Sequence, residues 1–210
     1  MTAARTALLQ VQDLRFAYPG QPPIANGWSA RIDAGVTLLH GDTGSGKSTL
    51  LRLLAGDEAA AGVLSLLGIR LDADTAAYRR AVWWHPPGSD EFDALTPREH
   101  AAAVAGGPGF DAAAWERHAE GFGLGPHLHK ALYMLSTGSR RKSGLAAALA
   151  SGRALTLLDE PAAALDAASI AYLMRALVAC SAPQGRAIVV ASSDVLVDVP
   201  LAGTIELPLR

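Results

Sequence analysis

The chain has little of several things that would otherwise direct its reading. It carries one cysteine, Cys180, in 210 residues. An internal disulfide is therefore excluded, and a reducing compartment fits. Cys180 ends an apolar helical run from Ile170 and reads as a small buried hydrophobe. Only three lysines occur, Lys47, Lys130 and Lys142. Charged residues make up 18% and the net charge is −2, so the basic excess that marks nucleic-acid binding is missing. No stretch of about 18 uncharged apolar residues exists, which argues against a membrane-spanning helix. The alanine-rich stretch from Gly144 to Ser151 is too short and is followed by Arg153. Met1 to Arg5 lacks the apolar core of a secretory signal. What the chain has is apolar content, 50% of residues, enough to bury one full core.

One of the scarce lysines falls in the run Gly41-Asp42-Thr43-Gly44-Ser45-Gly46-Lys47-Ser48-Thr49. This fits G-x-x-x-x-G-K-[ST], the phosphate-binding loop, in which backbone N–H groups wrap phosphates and glycines reach the conformations required. Lys47 is placed for the β- and γ-phosphates, and the Ser48 hydroxyl for Mg²⁺. The flanks suit the motif: Val36 to Leu39 is short, apolar and β-prone, and Leu50 to Ala55 is a good helix start. A helix N-terminus facing phosphate adds its dipole.

Elsewhere the pattern alternates between strand and helix. Residues 8–18 partly alternate as a half-buried strand does, Pro19 to Pro23 forms a turn, and Trp28 to Ile32 reads as a second strand. Gly62 to Gly68 is a further strand. From about Pro97 to Ala150 alanine dominates, with breaks at Gly106 to Gly109 and Gly121 to Pro126, the pattern of several short helices. Ala154 to Leu158, a helix over 167–180 and a strand from Ala187 to Ala191 complete the alternation. This predicts an α/β fold with a mainly parallel sheet covered by helices.

The strand Leu155-Thr156-Leu157-Leu158 ends in Asp159 and Glu160. In phosphate-loop proteins a second strand ends in an Asp that supports Mg²⁺, a role Asp159 fits. Glu160 beside it is placed to polarise an attacking water. A solvated acidic turn remains the alternative from these residues alone.

In order and over nearly the whole chain, the sequence resembles the ATP-binding subunit of an ABC transporter of the compact single-cassette type. Tyr18 falls where the family has an adenine-stacking aromatic, although strand packing alone also accounts for it. Residues 41–49 match the Walker A loop, and 155–160 match Walker B with its glutamate. Leu95 to His100 resembles the opening of the helical subdomain. Leu135-Ser136-Thr137-Gly138-Ser139 resembles the Leu-Ser-Gly-Gly-Gln signature, and Ala164-Leu165-Asp166 the D-loop. His85 falls on the Q-loop position and Ser193 on the H-loop position, where the family has glutamine and histidine.

The resemblance implies a phosphate-loop NTPase with a mainly parallel core sheet, an antiparallel β subdomain at the N-terminal side and an inserted α-helical subdomain. It implies a single ATPase domain over 1–210, with the core and β subdomain in 1–96 and 151–210 and the helices in about 97–150. ATP and Mg²⁺ are the implied cofactors. Tyr18, Gly41, Asp42, Thr43, Gly44, Ser45, Gly46, Lys47, Ser48 and Thr49 would bind ATP, Ser48 and Asp159 would hold Mg²⁺, and Lys47 and Glu160 would be catalytic. Ser136, Thr137, Gly138 and Ser139 would reach the nucleotide of a second ATPase subunit, alike or unlike, in a head-to-tail pair; Asp166 is the D-loop residue. An integral membrane permease is the other implied partner, with no nucleic acid. The location would be cytoplasmic, at the inner face of the membrane through that permease. The short length resembles export-type subunits, including the haem-exporter ATPases of cytochrome maturation.

Three departures leave turnover open. Thr137 and Ser139 replace a Gly and the Gln of the signature, His85 replaces the glutamine, and Ser193 replaces a histidine that contacts the γ-phosphate. A serine hydroxyl is shorter and carries no positive charge. The alternative is a regulatory or weakly hydrolysing nucleotide-binding subunit; a soluble ABC ATPase of repair or translation is disfavoured by charge and by the absence of coiled coils. Of the remaining residues, Trp83 and Trp84 read as strand-end residues, His127 and His129 as solvated loop residues, and Arg140, Arg141 and Lys142 as an exposed helix face.

Overall fold

In the computed structural model, residues 7–85, 90–104, 109–182 and 185–209 are described. Gly106 to Pro108 of the predicted glycine–proline break and the N-terminal Met1 to Arg5 lie outside them.

Two sheets organise the chain. The first contains β1 (Leu9–Phe16), β2 (Ala25–Ile32), β4 (Ala61–Leu66) and β5 (Ile69–Arg70), in the order β2-β1-β4-β5 with antiparallel neighbours. The second contains β3 (Gly35–His40), β6 (Val82–Trp83), β7 (Leu155–Asp159), β8 (Ala187–Ser192) and β9 (Leu201–Glu206), in the order β6-β7-β8-β3-β9. Every neighbouring pair of the second sheet is parallel. The sequence-based expectation of a mainly parallel core sheet with an antiparallel sheet on the N-terminal side is met.

Parallel strands buried on both faces read as unbroken apolar runs. β8 is such a strand, with all six residues buried. Because side chains alternate across a strand, its residues divide between two cores. Ala187, Val189 and Ala191 pack with β1, the antiparallel sheet and α1 (Lys47–Ala55), while Ile188 and Val190 pack with the helices of the opposite face. β7 divides likewise, Leu155 and Leu157 to the first core and Leu158 to the second.

The helices are α1, α2 (Thr75–Arg80), α3 (Pro97–Val104), α4 (Ala112–Gly121), α5 (Thr137–Ala150) and α6 (Ala167–Cys180), with two 3₁₀ turns at Gly125–His127 and Leu132–Met134. Their starts are chemically specified. Proline opens α3, where a missing N–H removes nothing. Thr96 and Glu99 bond each other's backbone N–H groups there, at 2.8 and 3.2 Å. Ser136 caps α5 and Asp166 caps α6. At the other end of α5, the half-buried Arg186 donates to the carbonyls of Ala148 and Leu149 at 2.6 and 2.7 Å and to Thr156 Oγ1 at 2.8 Å. A cation at a helix C-terminus is favoured by the helix dipole. One guanidinium thus joins the end of α5 to β7, and so fixes how α5 enters the site.

Three elements were not anticipated, and one expectation needs correction. β5, α2 and β9 carry too weak a pattern to be anticipated: two residues, six residues, and a half-exposed edge strand. Cys180, expected to be buried, is half-buried, because it is the last residue of α6 and the turn past it opens to solvent; burial still raises its thiol pKa.

Arg186→Ala should lower the stability of the chain by about 3 kcal/mol, the upper range for hydrogen bonds to a charged group. The urea midpoint should fall without a change of slope; an unchanged midpoint would remove Arg186 from this role.

Candidate functional site

Parallel pairing sets the site by bringing strand C-termini to one edge. Asp159, Ala191 and Leu39 stand in one row across β7, β8 and β3, and Ser192, His40 and Glu206 in the next row across β8, β3 and β9. The chain segments leaving that edge are the phosphate loop after β3, Glu160 after β7 and Ser193 after β8.

Lys47 lies at the centre. It is 6% exposed, so its ammonium needs acceptors. Its Nζ donates to the carbonyls of Gly41 at 2.6 Å and Asp42 at 3.0 Å and lies 3.2 Å from Glu160 Oε1. Three donors meet three acceptors. The loop can turn this tightly because Gly46 has a φ of 102°, and a Cβ there would sit 2.7 Å from Ile24 Cδ1. Asp42, Thr43, Gly44 and Ser48 are exposed, and Ser45 and Thr49 are partly so. The Ser45 hydroxyl is buried without a partner among the described residues, and an exposed loop that hides its lysine is suited to receive an anion.

Glu160 has a φ of 42°, a left-handed conformation that non-glycine residues rarely adopt. It is held there from several sides. Its N–H donates to Ala191 O at 2.9 Å, and its own carbonyl accepts from Ala163 N at 3.0 Å and Arg141 Nη1 at 2.8 Å. Its side chain accepts the Ser193 N–H at 3.2 Å. Such strain gathers at functional sites. Asp159 Oδ1 is buried with no hydrogen-bond partner among the described residues. A carboxylate oxygen left free at this strand end fits a hydrated Mg²⁺, as does the exposed Ser48 hydroxyl.

Tyr18 reaches the same region: its hydroxyl is 3.5 Å from Thr49 Oγ1, and its ring meets Phe16 edge-on at 4.9 Å. The motif residues on α5 stand apart from Lys47. Ser136 Oγ accepts the Ser139 N–H at 3.1 Å and donates to Ser139 Oγ at 3.0 Å, so the two serines serve each other and the helix start. Ser136 and Thr137 are exposed. Gly138 approaches the segment after Glu160 closely: a Cβ there would lie 2.6 Å from the Ala164 carbonyl oxygen. Asp166 receives Lys142 Nζ at 2.5 Å and the Ser169 N–H at 2.8 Å, and Lys142 first, then Ser169, holds its carboxyl well below the usual range. His85 lies in a ring cluster with Phe92 and His100. Burial lowers its pKa, and burial and then His85 lower that of His100 to about 4, so both rings are neutral at pH 7. His85, Asp159, Thr137 and Arg141 share the wall of a cavity of about 300 Å³ between α5 and β7. Ser193 is exposed, and its contacts with the site are made by its backbone.

The expectation of an exposed basic face at Arg140, Arg141 and Lys142 is overturned. Arg140 pairs with Asp93 at 3.1 Å, Arg141 Nη1 grips the carbonyls of Asp159 and Glu160, and Lys142 holds Asp166. Adjacent helical residues point in different directions, and the elements around α5 supply each with an acceptor. His40, bonded to Glu206 and Ser193, carries no motif and was legible only through the fold. His127 is partly buried, with an unpartnered Nδ1, and His129 is exposed; no cluster of metal ligands occurs among the described residues.

Comparison with known proteins accords with this geometry. The profile of the ABC transporter family matches residues 26–163. The chain is 39% identical to the cytochrome c biogenesis ATP-binding export protein CcmA of Pseudomonas aeruginosa, over 61% of this chain and 64% of that protein, a little under two thirds of its length. It is 35% identical to the CcmA of Paracoccus denitrificans, over 97% of this chain and 90% of that protein. It is 39% identical to the molybdenum import ATP-binding protein ModC 1 of Azotobacter vinelandii, over 63% of this chain and 39% of that protein. Among solved structures, an ATP-binding subunit of an ABC transporter superposes with a TM-score of 0.75 at 27% identity, covering 88% of this chain and 79% of the other.

Gly138→Ala should lower stability by about 1–3 kcal/mol through overpacking against Ala164. In an open helix the same change raises stability by up to about 1 kcal/mol, so the sign of the shift in the urea midpoint decides whether this contact holds α5 against the 161–166 segment.

Proposed function

The chain belongs to the ABC transporter family, and from that premise we propose that it is the ATP-binding subunit of a transporter, hydrolysing Mg-ATP between two head-to-tail copies or one copy and an unlike ATPase to drive a separate membrane permease. The observation that carries this reading is the meeting of Lys47 with Gly41 O, Asp42 O and Glu160 Oε1. A buried ammonium already circled by three acceptors can exchange them for phosphate oxygens without gaining an unpaired charge.

Each residue then has a task. Residues 41–49 bind the phosphates, and Tyr18 offers a ring face to the base. Lys47 steadies the β- and γ-phosphates. Glu160 accepts a proton from the attacking water, and the Ser193 N–H on its Oε1 orients it. Ser48 and Asp159 are the residues for Mg²⁺, which when bound neutralises charge on the phosphates. Ser136 to Ser139 and Asp166 face the second subunit. Docking on the permease places the chain at the cytoplasmic face of the membrane; among the described residues no helix is long and apolar enough to cross it. The helices over about 97–150 form the helical subdomain of this reading.

A second reading, a nucleotide-binding subunit with little turnover, is favoured by the exposed Ser193 side chain, which makes no hydrogen bond to the site among the described residues.

Lys47→Ala should weaken Mg-ATP binding by about 1.5–3 kcal/mol, the worth of a hydrogen bond to a charged group, or about 10- to 150-fold in Kd. Isothermal titration measures this, and unchanged affinity sinks the assignment of the loop. Glu160→Gln should keep binding and lose turnover in a phosphate-release assay. Binding with no turnover in the unsubstituted chain, even with its permease, selects the second reading.

A further inference from the structure

His40 closes β3 and immediately precedes Gly41. Its two ring nitrogens meet two oxygens that can only accept: Nδ1 lies 2.9 Å from Glu206 Oε2, and Nε2 lies 3.2 Å from the Ser193 carbonyl. A neutral imidazole has one N–H and can serve one of them, whereas the imidazolium donates to both. The carbonyl held by Nε2 belongs to the same residue whose N–H lies on Glu160 Oε1, itself 3.2 Å from Lys47 Nζ. A continuous line of contacts therefore runs from Glu206 through His40 and the Ser193 backbone to Glu160 and Lys47.

We propose that His40 is a positioning residue for Glu160, acting through the backbone of Ser193, and that its doubly donating form is the working one. This rests on the reading of Glu160 as the group that activates water. The role suits the chain because the Ser193 side chain is short, so the segment after β8 is held by its backbone. The ring is fixed by three strands at once: its own β3, β9 through Glu206, and β8 through the segment that leaves it.

The groups facing His40 set its protonation. Glu206 on β9 dominates, by its hydrogen bond and then its charge; the Ser193 carbonyl and Asp42 in the phosphate loop act in the same direction, and burial opposes them. Together they raise the His40 pKa above the ordinary histidine value. The link is therefore complete below the ordinary range and is lost as pH rises through the raised value.

The test joins a structural readout to a kinetic one. Histidine ring NMR should show His40 titrating above the ordinary value, and lower in Glu206→Gln. Amide exchange at Ser193 should quicken in His40→Gln. In the phosphate-release assay, kcat should fall with rising pH along the His40 titration. His40→Gln should flatten that limb and lower kcat by about tenfold, below the 10²–10⁴ of a lost general base, with KM for ATP little changed. An ordinary His40 titration, unaltered Ser193 exchange, or an unaltered alkaline limb in His40→Gln would each overturn the proposal. If ATP is bound but not hydrolysed, the ATPase reading fails, and the titration and exchange results still decide the His40 contact.

Discussion

A buried ammonium without acceptors is among the least tolerable features a fold can contain, and the arrangement around Lys47 follows from that constraint. Its three donors require Gly41 and Asp42 to turn their carbonyls inward, which sets the curl of the loop. They also require a carboxylate from another strand, which fixes Glu160 beside the loop. The left-handed backbone of Glu160 is one consequence, since the side chain must turn back from the end of β7 to reach Lys47. The grip of Arg141 and Ala191 on the Glu160 backbone is another, for a strained conformation persists only where its surroundings over-determine it.

The parallel sheet makes this meeting possible at low conformational cost. Three strands in register deliver three loops to one edge, with β8 between the strand of the phosphate loop and the strand of the carboxylates. α5 is joined to that edge by its side chains. Arg186 holds its C-terminus to β7, Arg141 reaches the backbone after Asp159, Lys142 holds the cap of α6, and Gly138 lets the first turn touch Ala164. A shift of α5 would therefore be felt at Glu160 and Asp159.

Much of the fold was legible in the sequence because its central strands are continuous apolar runs and its long helix over 167–180 matches the observed α6 in full. β3, the loop and α1 were legible for a chemical reason, since a phosphate loop demands a strand before it and a helix after it. The parts that escaped are those whose signal is not local. β9 is a half-exposed edge strand held by its pairing with β3. Arg140, Arg141 and Lys142 read as a solvated face because their acceptors lie on segments distant in sequence, at 93, 159–160 and 166. His40 had no signature at all, and its two partners are 166 and 153 residues away. At Gly138 the small residue was legible, while the nearest backbone, that of Ala164 in the same chain, was not.

The central claim is that the acceptors now around Lys47 stand in for phosphate oxygens. A crystal structure of the chain with Mg²⁺ and a non-hydrolysable ATP analogue tests this most directly. The account predicts Lys47 Nζ within hydrogen-bond distance of a β- or γ-phosphate oxygen, with at least one of Gly41 O, Asp42 O and Glu160 Oε1 released. A nucleotide bound elsewhere, with Lys47 still closed on all three, would contradict it.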